Sequence, residues 1–289
     1  MTDPILFVLG AVIVLITFHD FLRTTVSLSG LGFISARVAA GLWRLLSALA
    51  RWTERSTGWS IRKLIGPLIL IKIAAVWVAL HLLGYVLMYR AGLSLVESQS
   101  GQPATLVQTV AFAGSALSTL GASTVTVTEG WWDILSMIAA VNGMIVLTLS
   151  VSFVLNVLQT TNSARTFAMR FNALARSAGD RQGPAQVAGL GPDLAAVAVK
   201  MVASPLPGFF VPDDPRMDFP LAIRNLCDMV RDGEDEPLHD ARTAELMAAL
   251  SLLGRQVGPD RDHRDMQAAR AWADRHSIPR QDQAEGVTT

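Results

Sequence analysis

Residues 103–130 read PATLVQTVAFAGSALSTLGASTVTVTEG, and no residue before Glu129 carries a charge. The stretch is apolar enough for a membrane, yet it is too short and too broken by Gly114, Ser115, Ser118, Thr119 and Gly121 to cross one. Two segments long enough to cross lie on either side of it. Irregular backbone at membrane depth persists only where protein buries it or where it lines a water-filled cavity. The reading is a re-entrant helix followed by a turn, entering and leaving the membrane on the same side.

The rest of the chain supports a membrane setting. Of 289 residues 51% are hydrophobic and 17% charged, with no formal net charge, against about 25% charged in soluble domains. The charge is also uneven. Residues 64–158 hold only Lys72, Arg90, Glu97, Glu129 and Asp133, whereas 160–289 hold 15 Lys/Arg and 18 Asp/Glu. The chain thus divides into a membrane part and a water-exposed part. A single cysteine, Cys227, excludes an intrachain disulfide and reads as a buried, inert thiol in a reducing compartment.

The predicted fold is an all-α membrane protein with three transmembrane helices, one re-entrant helix and loop, and a cytoplasmic helical domain. Residues 1–30 carry the first transmembrane helix, its apolar run 4–18 extended by His19 to Leu22. A retained helix suits it better than a signal peptide, because Asp3 stands where a basic leader would be. Residues 31–63 form an amphipathic interfacial helix in which Arg37, Arg44 and Arg51 recur every seven residues, with Arg55 one turn on. An apolar face opposite an arginine stripe suits the headgroup region and anionic lipid, although a helix packed on the protein would show the same pattern. The second and third spans, 64–89 and 134–158, flank the re-entrant stretch within a unit covering 64–160. Trp131 and Trp132 are expected as interfacial anchors. Lys72 is placed to snorkel, Asp20 to pair with Arg23, and His81 to serve as a structural or pH-sensing histidine.

Lys/Arg counts set the orientation. There are none before the first helix, seven in residues 23–63, one in 90–133, and Arg165, Arg170 and Arg176 after the third helix. The N-terminus and the 103–130 stretch therefore face outward, and the C-terminal domain inward, in a plasma (inner) membrane. Residues 161–289 read as helices over 193–203, 219–231, 237–254 and 260–276, with Gly254 and Gly258 ending the third and a disordered tail at the end. The Asp260, Asp262, His263 and Asp265 group matches a helix's acidic first turn better than a metal site.

Ser118-Thr119-Leu120-Gly121 between two spans, with Gly143 inside the third, resembles the pore domain of tetrameric potassium channels. Asp20 to Thr25, Gly66 to Leu70, Leu117 to Gly121 and Leu147 to Ser150 extend the likeness, over residues 1–178, to bacterial potassium-channel-like membrane proteins. The resemblance implies a homotetrameric ion channel passing monovalent cations, K+ or Na+. Thr119, Leu120, Gly121, Ala122 and Ser123 would form its filter, and Gly143 a gating hinge. The family's Thr-Val-Gly-Tyr-Gly-Asp becomes Thr119-Leu120-Gly121-Ala122-Ser123-Thr124, so only the inner rungs match and selectivity for potassium is expected to be weak or altered.

Ser123 to Glu129 alternates hydroxyl and valine, the period of an extended segment with one polar face. As an outer mouth it would offer Thr124, Thr126 and Thr128 to water and a ring of Glu129 to cations; a solvated outer loop would look the same. On the third span, Asn142, Ile145, Leu149, Ser152 and Asn156, with Thr148 beside them, step by three and four and form a cavity-lining stripe or a helix-packing face. No nucleophile, base and metal constellation points to an enzyme, and no cofactor or nucleic-acid partner is expected. A non-conducting receptor signalling through its cytoplasmic domain and an anion-permeable pore remain as alternatives.

Overall fold

A computed structural model describes residues 3–26, 30–57, 62–121, 124–128, 130–177, 184–204, 206–232, 241–257 and 265–277. Its contacts divide into two compact units. The first comprises residues 1–27, 31–42 and 69–155; the second comprises 28–30, 43–68 and 156–289.

The first unit is organised on α3, Ile65–Ala91, a 27-residue helix. It packs beside α1, Pro4–Thr25, through a mutual glycine contact. A Cβ on Gly10 would stand 2.5 Å from the Gly84 carbonyl oxygen, and one on Gly84 2.8 Å from that of Gly10. Small residues let membrane helices approach this closely, where dispersion and not hydrophobicity holds them together. Lower on the same interface, Phe21 meets Trp77 edge-on at 5.0 Å, and Trp77 meets Phe153 at 5.6 Å.

Phe153 belongs to α5, Gly130–Ser177. This helix runs without interruption through the segment expected from sequence as the third span and on to residue 177. At 1.5 Å per residue its 48 residues extend about 72 Å, more than twice a hydrocarbon core of about 30 Å. Between α3 and α5 lie β1, Leu95–Glu97, α4, Leu106–Leu117, and β2, Val125–Val127. The remaining long helix of the N-terminal region is α2, Phe33–Thr57, in the place read from sequence as interfacial.

Asp20 departs from its expected pairing with Arg23. Its carboxylate is buried and accepts hydrogen bonds from Ile34 N at 2.7 Å, Ser35 N at 3.2 Å, Ser35 Oγ at 2.6 Å and Trp77 Nε1 at 3.2 Å. It thus satisfies the orphan amides that open α2, and its negative charge sits at the positive end of that helix. A Cβ on Gly32 would collide with this carboxylate at 2.3 Å, which accounts for the glycine.

The second unit has a core like that of a soluble protein. Residues of α5 beyond 155 join α6, Pro184–Val187, α7, Gly191–Ala203, α8, Phe219–Asp232, α9, Ala241–Val257, and α10, Asp265–His276. Phe167, Phe171, Leu194, Met201, Phe219, Leu226, Leu250 and Trp272 are buried in one cluster. Charged pairs such as Arg170 with Asp193 and Arg270 with Asp228 stay on its surface. Gly254 does not end a helix here. It lies buried inside α9, which continues to Val257. Cys227 is buried in this core, which pushes its thiol pKa up to about 12, so it stays protonated and inert. Asp260, Asp262 and His263 lie outside the described residues.

Candidate functional site

The stretch from Pro103 to Val127 makes an excursion whose two ends are held at one place. β1 pairs antiparallel with β2 in the register Leu95 to Val127, Val96 to Thr126 and Glu97 to Val125. Val96 also bridges Pro103 on the entering side. A segment pinned at both ends to one three-residue strand starts and finishes at the same level. The alternation expected for 123–129 is realised in β2, where Val125 is buried and Thr124 and Thr126 are exposed. Ala122, Ser123 and Glu129 lie outside the described residues.

The 12 residues of α4 rise about 18 Å at 1.5 Å each, roughly half of a bilayer. Its start is capped by side chains. Thr105 Oγ accepts from Gln108 N at 3.3 Å, and the Gln108 side chain accepts from Thr105 N at 2.8 Å, closing a capping box. Gln108 Nε2 also donates to Glu97 at 3.4 Å, so an acidic group stands near the positive end of the helix dipole.

The other end is closed in a strained way. Thr119 N donates to Ala116 O at 3.1 Å and Leu120 N to Ser115 O at 3.0 Å, the Schellman arrangement. Its left-handed residue, ordinarily glycine, is here Thr119 at φ 57°. A β-branched residue in that conformation is disfavoured by about 1–2 kcal/mol. Gly121 follows, also left-handed at φ 69°. With their amides folded back on α4, Thr119 and Leu120 have oxygens, not N–H groups, left to offer a ligand. The Leu120 side chain is 72% exposed.

Gly143 of α5 abuts this end. A Cβ there would stand 1.9 Å from the Leu117 carbonyl oxygen and 2.6 Å from its carbon. The close approach of helix α5 to the last turn of α4 accounts for the glycine by packing. Around it a polar seam joins α3 to α5. Asn142 Nδ2 donates to Tyr85 Oη at 3.2 Å, and the Tyr89 and Ser136 hydroxyls lie 3.0 Å apart. Asn142 therefore leaves the proposed stripe. Its side chain is buried against Tyr85, because at a residue one step beyond Val141 it has turned toward α3.

Thr148, Ser152 and Asn156 are exposed, with Ile145 and Leu149 half-buried at the margin. Gln159, exposed, and half-buried Ser163 prolong the row at helical spacing, polar positions that the sequence reading had not joined to it. His81 is buried, with Nδ1 2.8 Å from Trp77 O. Lys72 is exposed. Trp132 turns inward against Gly92 and Phe7, while Trp131 is exposed.

Pro4–Thr25, Ile65–Ala91 and Gly130–Ser177 have the length and hydropathy to cross a membrane; so, by these criteria alone, do Phe33–Ala50 and Ala185–Ala203. The last of these contributes Leu194, Val197, Ala198 and Met201 to the soluble-type core. No protein-family profile matches the chain, and no solved structure matches it. It is similar to the uncharacterized membrane protein YdjJ of Bacillus subtilis (strain 168), at 32% identity over 151 residues. The match covers 52% of this chain and 43% of that protein, so the chain spans less than half the length of its relative. The helices and this relative together make the chain a predominantly helical, multi-pass membrane protein.

Proposed function

We propose that the chain is one subunit of a tetrameric pore-loop channel that conducts monovalent cations with weak or altered preference for potassium. One observation carries the reading: an excursion between two membrane-length helices, pinned at both ends to β1, has a 12-residue helix going in and a glycine-bearing turn coming out. In this reading α1, α3 and the first part of α5 span the membrane with the N-terminus outside, and α4 re-enters from the outer side. The C-terminal end of α4 directs its partial negative charge toward the turn and favours a cation there. Oxygens of Thr119 and Leu120 then replace part of the ion's water.

One such loop cannot enclose an axis, so the pore needs about four copies around a rotation axis. The Thr148, Ser152 and Asn156 row would line the inner cavity, where hydroxyl and amide groups meet water and not lipid. Glu129, with Thr124, Thr126 and Thr128, would form an acidic outer mouth. Gly143 takes a packing role against Leu117, on which any hinge motion would pivot.

A second reading, a non-conducting receptor built on the same scaffold, is favoured by the exposed Leu120 side chain beside the turn. Recording from the purified protein in planar bilayers separates them. The channel reading expects single-channel steps whose reversal follows a potassium or sodium gradient and ignores a chloride gradient. Reversal with chloride would make it an anion pore, and silence across voltage and pH would favour the receptor. Glu129→Gln is expected to lower cation conductance at low salt; an unchanged conductance would remove the acidic mouth.

A further inference from the structure

The surface of α2 falls into three sectors. Ser35, Ala39, Ser47 and Ala50 are buried. Arg37 and Arg44, seven residues apart and so on one face, are exposed on a second sector. Arg37 lies over the Phe33 ring at 3.5 Å. On a third sector, next to the arginines, Leu45, Leu49 and Trp52 are 64%, 43% and 65% exposed. The buried sector begins at Ser35, where the Asp20 carboxylate accepts from Ile34 N and Ser35 N.

What covers Leu45, Leu49 and Trp52 is constrained by charge and by position. Residues 21–63 hold seven Lys/Arg and one acidic residue, Glu54. A second copy of this helix would bring an equally positive face and be repelled. A full crossing by α2 would carry Arg37 and Arg44 on an exposed face into hydrocarbon, where they are costly. In sequence α2 lies between two membrane-length helices, so both of its ends are tethered near a bilayer surface.

We propose that α2 is an anionic-phospholipid-binding helix lying in the headgroup layer. Leu45, Leu49 and Trp52 seat among the upper acyl chains, and Arg37 and Arg44 hold lipid phosphates. The proposal rests on the multi-pass membrane placement and is independent of whether the protein conducts ions.

The test uses the full chain with Cys227→Ala, carrying single nitroxide labels at Leu45→Cys, Leu49→Cys, Trp52→Cys, Arg37→Cys or Arg44→Cys. It is reconstituted in vesicles of phosphatidylcholine, alone or mixed equally with phosphatidylglycerol. Labels at 45, 49 and 52 should be reached by oxygen and shielded from a water-soluble nickel chelate, and those at 37 and 44 reached by nickel. Equal nickel access at both sets, or shielding of 45, 49 and 52 from both reagents by a protein neighbour, would overturn the proposal. In native mass spectrometry the retention of phosphatidylglycerol over phosphatidylcholine should fall about fivefold per arginine in Arg37→Gln/Arg44→Gln. It should return in the corresponding lysine variant, since a point charge suffices for a phosphate. Unchanged retention in the glutamine variant would also overturn it.

Discussion

The two ends of α4 are built by opposite rules. At its start, Thr105 Oγ takes the Gln108 backbone amide and the Gln108 side chain takes the Thr105 amide, with Glu97 holding Gln108 Nε2, at no cost in backbone strain. At its finish, the carbonyls are satisfied by the backbone itself, which forces Thr119 into a glycine's conformation. An anchored start and a strained finish belong to a helix whose position is fixed at one end so that an unusual geometry can be held at the other. Residues in sparsely populated backbone regions persist only where their surroundings over-determine them. Here β1, the capping box and the Gly143 contact supply that constraint.

The largest test of this contrast is Gly143→Ala. Its methyl would meet the Leu117 backbone at under 2 Å, and backbone cannot give way as a side-chain tip can. A loss of about 3 kcal/mol or more is expected, seen as a collapsed yield or a much lower midpoint in detergent melting. A melt like the native protein's would mean that α5 does not hold the finish of α4.

Thr119→Gly should act in the opposite direction, raising stability by about 1–2 kcal/mol as the left-handed strain is relieved. The same variant should change ion conduction, if the turn is the filter. A destabilised Thr119→Gly would show that the threonine hydroxyl, 2.7 Å from Ser118 O, contributes more than the strain removes.

At the start of the helix, Thr105→Ala should cost about 1 kcal/mol, the usual worth of an N-cap, and under the proposed channel function it should leave conduction unchanged. An equal effect on conduction would break the division between anchor and working end. Glu97→Gln should be smallest, about 0.5 kcal/mol, and should vanish at high salt as a dipole interaction does. A loss independent of salt would assign Glu97 a packing role instead.

The parts of this architecture legible in sequence were those with a period. Spans of the right length and the valine–hydroxyl alternation of β2 each repeat a local unit, and each has a counterpart in the structure. The partner of β2 was not legible, because Leu95 to Glu97 is too short to show alternation. Asp20 was assigned its sequence neighbour Arg23, whereas its partners lie 14, 15 and 57 positions away, beyond any local pattern. Asn142 was grouped with Ile145, Leu149 and Ser152 by spacing. Its side chain sits at the edge of that arc, and one hydroxyl on Tyr85 draws it to the other side. Gly143 illustrates the general limit. A glycine in a helix announces freedom or closeness, and which of them applies depends on what the rest of the fold brings against it.

The pinning of both Pro103 and Val127 to β1 has a consequence for biogenesis. During synthesis α4 emerges before the strand that closes its excursion. Until Val125 to Val127 have left the ribosome, the excursion is held to β1 from its entering side, by the Val96–Pro103 bridge, the bonds from Ala104 N to Leu95 O and from Glu97 N to Gln102 O, and Gln108 on Glu97. The pairing of β2 with β1 is therefore a late event, and it closes the excursion as a latch.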